Sequence, residues 1–425
     1  MIKTKRVAVA GFGNVGKGVI EVLLQGQIPE LKLEKIVVKH PGKIRPFSVD
    51  PSLIVTDFSQ VIRDPNIDVI VEVMGGIKDA VSLILSALRN GKDIVTANKV
   101  VISQHGNEIF SLAIKLGRTV GFRGTFVGCN ALIHDLSLSA RRIRRMCAIL
   151  NGTCNYILSH MARSGISFEQ ALREAQEKGY AEANASEDID GLDTAHKIQI
   201  LLGVISNTYN IPPDIPCEGI RDITMQDIQY AKELGYAIKL LGVIERENGS
   251  VTVFVRPTLV PYGTMLASIE DANNAIELEN DLGVVSGLIA PGAGTYPTTV
   301  AIINDLLDIA RGATLMMPTL NTPIVLNDIG NIRGRYYLRL TVKDQPRVLA
   351  QITRILGDHD ISLASVIQKE SAPAEAVPVV MTTHEVKERE LRAALEKVDQ
   401  LEVVKAKTKI IPILEGRGQQ PAFIN

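Results

Sequence analysis

Residues 182–197 read EANASEDIDGLDTAHK, in which five carboxylates (Glu182, Glu187, Asp188, Asp190, Asp193) fall within twelve residues and Lys197 closes the run. Carboxylates can hold a cationic substrate group. A lysine can give up a proton or meet negative charge developing on an oxygen. Asp193 and Lys197 are spaced i and i+4, so a helix starting at the Gly191-Leu192-Asp193 turn presents both on one face. Three readings compete: an exposed ion pair, a metal loop, and the polar wall of an active site. Asp188-Ile189-Asp190-Gly191 suggests a calcium loop, but such a loop needs glutamate at its twelfth position, which is Gln199. A second lysine, Lys99, ends the stretch TANK (96–99). Two lysines at one site would depress each other's pKa from the ordinary value of about 10.4. His196, beside Lys197, points to another helix face and reads as structural.

A second constellation is glycine-rich. GFGNVG (11–16) follows a short apolar strand and opens a helix, the context in which GxGxxG cradles a pyrophosphate. The cofactor loop is therefore Gly11, Phe12, Gly13, Asn14, Val15 and Gly16. An acidic residue at the end of the next strand would take a ribose 2′-hydroxyl. Here Lys39 stands at that point, with Lys43 and Arg45 following, so NADP(H) is preferred and NAD(H) is the alternative. VEVMGG (71–76) and TANK, with Thr96 and Lys99, end two further strands, where open α/β sheets bind ligands. PGAGTYPTT (291–299), with Gly292 and Gly294, is another glycine loop opening a helix.

The chain that must position these residues has 425 residues, enough for two to four domains. Lys and Arg (46) nearly balance Asp and Glu (47), which speaks against a nucleic-acid or anionic-membrane partner. The basic run 141–145 has no interleaved aromatics and reads as a solvated loop or a phosphate contact rather than a DNA surface. The four cysteines form no CxxC and suggest neither a disulfide framework nor zinc. The first residues run into a strand, leaving no signal peptide, and no apolar stretch is long enough to span a bilayer. The expectation is a cytoplasmic protein.

Apolar runs divided by helical segments predict a Rossmann-like, doubly wound parallel sheet over 1–130, with a return helix near 298–320. Residues 131–297 read as an α+β substrate-binding and dimerisation domain. In it, SFEQALREAQEKG starts with a capping box, Ser167 with Gln170. Residues 321–334 are a Pro-, Asn- and Gly-rich linker, and 335–415 give the β-α-β-β-α-β order of a ferredoxin-like module, followed by the tail 416–425.

These motifs, in this order and together with NGTCNYIL (151–158), resemble homoserine dehydrogenase over residues 1–325. GYAEANASEDIDGLDTAHK (179–197) is the most specific part, and the C-terminal module resembles a regulatory ACT domain. The resemblance implies reversible NADPH-dependent reduction of L-aspartate 4-semialdehyde to L-homoserine, in threonine, methionine and isoleucine biosynthesis. It implies that Gly179 lies near the nicotinamide and that Glu182, Asp188 and Asp193 bind substrate. It makes Lys197 the proton donor, with Lys99 where cofactor and substrate meet; which of the two lysines donates stays open. A homodimer or homotetramer and an amino-acid effector such as threonine are also implied.

Two departures stand out. Family members usually carry a segment like EASVGGGIPI, which supplies a monovalent-cation site. FRGTFVGCNALI (122–133) puts Arg123 at the glutamate and Ala131 at the proline, so no metal ligand is assigned and Arg123 is expected to replace the ion. In the ACT-like module the usual DxPG is Asp344-Gln345-Pro346-Arg347, and Arg347 lacks glycine's backbone freedom. Rival readings are a catalytically lapsed regulator that binds nucleotide and amino acid, and a dehydrogenase of another amino-acid semialdehyde.

Overall fold

Six parallel strands in the order β3-β2-β1-β4-β5-β6 form the first sheet: β1 Lys5–Ala10, β2 Leu31–Val37, β3 Ile54–Val55, β4 Val69–Glu72, β5 Asp93–Thr96 and β6 Val120–Gly121. The structure is a computed structural model that describes residues 4–44, 47–129, 143–247, 249–292, 294–313, 317–369 and 376–414. Arg45 and Ala131 lie outside the described residues.

The strand order reverses between β1 and β4, which makes the gap beyond their C-termini the switch point where doubly wound sheets take ligands. The central strands are near-continuous apolar runs because both sheet faces are covered. Val7, Val9, Val69 and Val71 pack with Val19, Ile20 and Leu23 of the helix Asn14–Leu24. Ile302, Ile303, Leu306 and Ile309 of the helix Thr295–Arg311 join the same core.

By contacts the chain forms two compact units. The first holds 1–145, 193–215 and 274–324, and so gathers the parallel sheet with the helix Leu192–Ser206 from Asp193 onward. It also holds the paired strands Asn273–Asn280 and Val285–Pro291. The second unit holds 146–192, 216–273 and 325–425. The acidic stretch is thus divided: 182–192 belong to the second unit and Asp193 to the first.

In the second unit the strands Tyr236–Glu247 and Ser250–Pro261 form a long antiparallel pair. The C-terminal module is the expected ferredoxin-like ACT fold. Strand Arg333–Val342 is flanked by Val404–Ile413 and Val377–Thr383, Leu363–Ile367 stands at the edge, and the helices are Val348–Asp358 and Glu388–Asp399. Its last strand continues the sheet, pairing Ile413 with Leu259. Buried charge locks the same junction: Arg256 donates to Glu388 at 2.8 Å, and Tyr337 and Arg339 donate to Asp227 at 3.0 and 2.7 Å.

Some local expectations change. Ser167 caps the helix Phe168–Glu177 by accepting from the Gln170 amide, but the Gln170 side chain turns to Glu174 rather than back to the cap. Only half of the capping box is formed. Arg347 adopts φ 73°, the left-handed conformation a glycine would take there, so the loop keeps its shape with a residue that strains it. Among the described residues no helix is long and apolar enough to cross a membrane.

Candidate active site

Beyond β1 the backbone leaves no room for a side chain at Gly11 or Gly16. A Cβ on Gly11, which has φ 117°, would lie 2.4 Å from the Val73 carbonyl oxygen, and one on Gly16 would lie 2.1 Å from that of Gly11. These crowded glycines bring the N-terminus of the helix Asn14–Leu24 onto the switch point, which is the cradle a pyrophosphate needs. Phe12 turns aside to pack against Phe47, with ring centroids 5.4 Å apart and the rings tilted by 58°. Asn14 is exposed at the helix start and Val15 packs against the core. Lys39 and Lys43 are exposed in the turn just past β2. Gly294 immediately precedes the helix Thr295–Arg311, and Gly18 lets this helix come close enough that a Cβ there would meet Thr299 Oγ1 at 2.2 Å.

At the end of β5, the Thr96 hydroxyl donates to the buried Glu72 carboxylate at 2.7 Å, and Asn98 caps the helix Lys99–Leu116 through its side chain. Lys99, the first residue of that helix, reaches Asp193 Oδ1. Lys197 donates to Asp193 Oδ2 at 2.8 Å across one helical turn. One carboxylate therefore binds two lysines. The expected pair of mutually repelling cations is instead a cation–anion–cation bridge, because the fold brings residue 99 to the helix that carries both Asp193 and Lys197. Burial would raise the Asp193 carboxyl, but the charges of Lys197 and Lys99 outweigh burial and hold it well below the ordinary carboxylate range. Asp193 is 3% exposed, whereas the lysine side chains keep 30% (Lys99) and 12% (Lys197).

Arg123 builds a second buried cluster. Its backbone amide donates to Asp305 Oδ2 at 2.9 Å, and its Nη1 lies 3.2 Å from Asp305 Oδ1 and 2.6 Å from Asp308. Burial pushes the Asp305 carboxyl up to about 7 in spite of Arg123. The two aspartates lie on the helix Thr295–Arg311, and nothing in sequence spacing linked them to Arg123.

In the second unit, Asn151 opens the helix Gly152–Ser164 and also donates to Asp188 Oδ1 at 2.7 Å. Cys154 Sγ donates to the Asp188 carbonyl oxygen at 3.1 Å. The NGTC motif thus anchors Asp188, a link the sequence reading did not draw. Asp190 pairs with Arg221, and both side chains stay open to water. Glu182 is exposed, and Gly179, at φ 75°, ends the preceding helix.

A family model for homoserine dehydrogenase matches residues 130–307, one for the homoserine dehydrogenase NAD binding domain matches 11–123, and one for the ACT domain matches 336–403. The homoserine dehydrogenases of Synechocystis sp. and Pseudomonas aeruginosa are each 36% identical to this chain. These matches cover 97% and 95% of it and 100% and 97% of the relatives, respectively. The chain belongs to the homoserine dehydrogenase family. The solved homoserine dehydrogenase of Thiobacillus denitrificans superposes with TM-score 0.88 at 34% identity, covering 97% of this chain and 99% of that one. As a homoserine dehydrogenase with an ACT domain, the protein is a nicotinamide-dependent oxidoreductase of amino-acid biosynthesis. It reversibly reduces L-aspartate 4-semialdehyde to L-homoserine. The crowded glycine cradle fits its dinucleotide.

Proposed function

We propose that the Lys99–Asp193–Lys197 bridge is the reacting centre and that Lys197 is the proton donor. The observation that supports this reading is a buried carboxylate held ionised between two lysines that still reach water. The bound dinucleotide supplies or accepts the hydride. The chain's own task is to meet the charge that appears on the aldehyde oxygen. An ammonium group fixed by Asp193 does this without reorganising, and Lys197 Nζ then gives a proton to the alkoxide. Lys99, fixed by the other oxygen, adds a second positive charge. Glu182, Asp188 and Asp193 are the carboxylates assigned to the substrate ammonium. Thr96, Gly179, Gly294 and the loop from Gly11 to Gly16 hold the cofactor.

The exposed Lys39 and Lys43 past β2 support NADP(H) over NAD(H), since a 2′-phosphate needs positive charge where an acid would exclude it. Arg123 supports a site without a monovalent cation. Its guanidinium already pairs with Asp305 and Asp308, and a guanidinium cannot ligate Na⁺ or K⁺. The ACT module serves an amino-acid effector, with threonine the first to try. The assembly is a cytoplasmic homodimer or homotetramer.

The test is Lys197→Ala, assayed with aspartate semialdehyde and NADPH. The variant should lose orders of magnitude in kcat while NADPH still binds; a kcat within about twofold of wild type, under about 0.5 kcal/mol, removes Lys197 as donor. The same assay with NADH, K⁺ and threonine checks the other three assignments. Equal turnover with NADH, strong activation by K⁺, or indifference to threonine would each remove one.

A further inference from the structure

Glu72 is the last residue of β4, fully buried, and among the described residues no cation pairs with it. In register it lies between Ala10 of β1 and Thr96 of β5, at the centre of the switch point. Its Oε1 accepts from the Met74 amide at 2.9 Å, and the Gly75 amide also bonds to the carboxylate. Its Oε2 accepts from the Thr96 hydroxyl at 2.7 Å. The Thr96 oxygen in turn accepts from the Asn98 amide at 3.0 Å, and the Asn98 side chain donates to the Gly76 carbonyl oxygen at 2.7 Å while capping the helix that begins at Lys99. The contacts form a closed ring: Glu72, the 74–76 loop, Asn98, Thr96 and back to Glu72. A core strand has no need of a buried charge there, and such a charge is costly unless its hydrogen bonds are made.

We propose that Glu72 is a positioning residue for the reaction. Its carboxylate latches the two loops beyond β4 and β5 and so fixes where Lys99 stands. This rests on the reading of Lys99 as part of the reacting centre. The chemistry needs an acceptor on both sides of residue 72. The Asn98 amide already points at the Thr96 oxygen, so the Thr96 proton has to go to Glu72. Glutamine has the same shape but offers one acceptor and one donor. With its oxygen toward Met74 and Gly75, its amide group faces Thr96, and the hydroxyl proton loses its partner in a buried site.

Four variants of the full-length enzyme test this: Glu72→Gln, Thr96→Val, the double variant and Lys99→Ala. The first two should each lower kcat about tenfold or more, and the double variant should be no worse than the poorer single one, because both break the same latch. In Glu72→Gln, NADPH affinity, read by fluorescence without turnover, should change less than threefold; Thr96→Val also removes a cofactor contact and is read by kcat alone. Amide hydrogen exchange in the ligand-free enzyme should quicken at 74–76 and 98–101 and not across the rest of the sheet. Wild-type kcat in Glu72→Gln, additive losses in the double variant, or a loss of NADPH affinity in Glu72→Gln as large as its loss of kcat overturns the proposal. Should Glu72→Gln loosen the whole sheet, Thr96→Val decides: wild-type kcat there also overturns it. Lys99→Ala separates the two readings. Wild-type kcat in that variant removes Lys99 from the reacting centre whatever Glu72→Gln does. A large loss there with an unaffected Glu72→Gln leaves the site standing and removes only the latch.

Discussion

Asp193 and Asp305 are both almost fully buried, both face cations, and both lie in the first unit, yet they are held at opposite ends of the carboxylate range. Asp193 has a lysine on each oxygen and is driven down; Asp305 shares one guanidinium nitrogen with Asp308 and is pushed up to about 7. Burial penalises both, so the difference comes from how much positive charge each receives. Lys99 on Asp193 keeps 30% of its side chain open to water and Lys197 12%, against 9% for Arg123, so the open side of the first cluster is at Lys99. A centre that exchanges protons needs the first arrangement. A rigid internal tie tolerates the second.

The comparison breaks most sharply at Asp193. Asparagine there offers one oxygen and one amide, so one lysine faces a donor instead of an acceptor and loses its orientation. Asp193→Asn should lower kcat by about a hundredfold or more, about 2.7 kcal/mol of transition-state stabilisation. Steady-state kinetics with aspartate semialdehyde checks this, and a loss under about fivefold (about 1 kcal/mol) would mean the bridge does not organise the reaction.

The two aspartates should also give stability opposite dependence on pH. Asp193 has a folded pKa below its unfolded value near 3.9, so its contribution is present above that value and is lost progressively as the pH falls from there through the lower folded pKa. Asp305 has a folded pKa raised from 3.8 to about 7. Its stability is complete below about 4 and is lost as the pH rises toward 7. Asp305→Asn removes that loss. Relative to wild type, the variant should gain stability between pH 4 and 7, by at most about 1.4 kcal/mol per unit. Denaturation at several pH values reads this gap, and a gap that stays flat would mean Asp305 is ionised throughout. Arg123→Met should move the window to higher pH, since it removes the charge that lowers the Asp305 pKa.

The contrast also explains what could be read from the chain alone. The glycine loop was legible because its geometry is local: Gly11 and Gly16 crowd backbone a few residues away or just across one strand pair. Asp193 with Lys197 was legible from helical spacing. The third member, Lys99, is 94 residues away; its strand-end position put it at the crevice, but only a resemblance linked it to Lys197. Arg123 was visible as a departure, but its partners lie 182 and 185 residues further on, in a helix that reads as merely amphipathic. Glu72 lies in VEVMGG, which reads as a strand end at the crevice, but nothing in the sequence linked its carboxylate to Thr96. Long-range charge pairing leaves no period in the sequence, so it had to come from the fold.

The smallest effect belongs to a charge with no burial at all. Arg347 is exposed in the turn before the helix Val348–Asp358, so neither desolvation nor a missing partner sets its cost. What it costs is backbone: at φ 73° an L-residue crowds its own carbonyl, a strain of about 1–2 kcal/mol that glycine avoids. Glycine gives back part of that gain through the greater freedom of the unfolded chain, about 0.5–1 kcal/mol. Arg347→Gly should therefore stabilise the protein by about 0.5–1 kcal/mol, visible as a higher urea midpoint with an unchanged slope. A lower midpoint would mean the arginine side chain holds the loop through contacts worth more than the strain. In that case an exposed charge would rank with the buried ones in what it contributes to the fold.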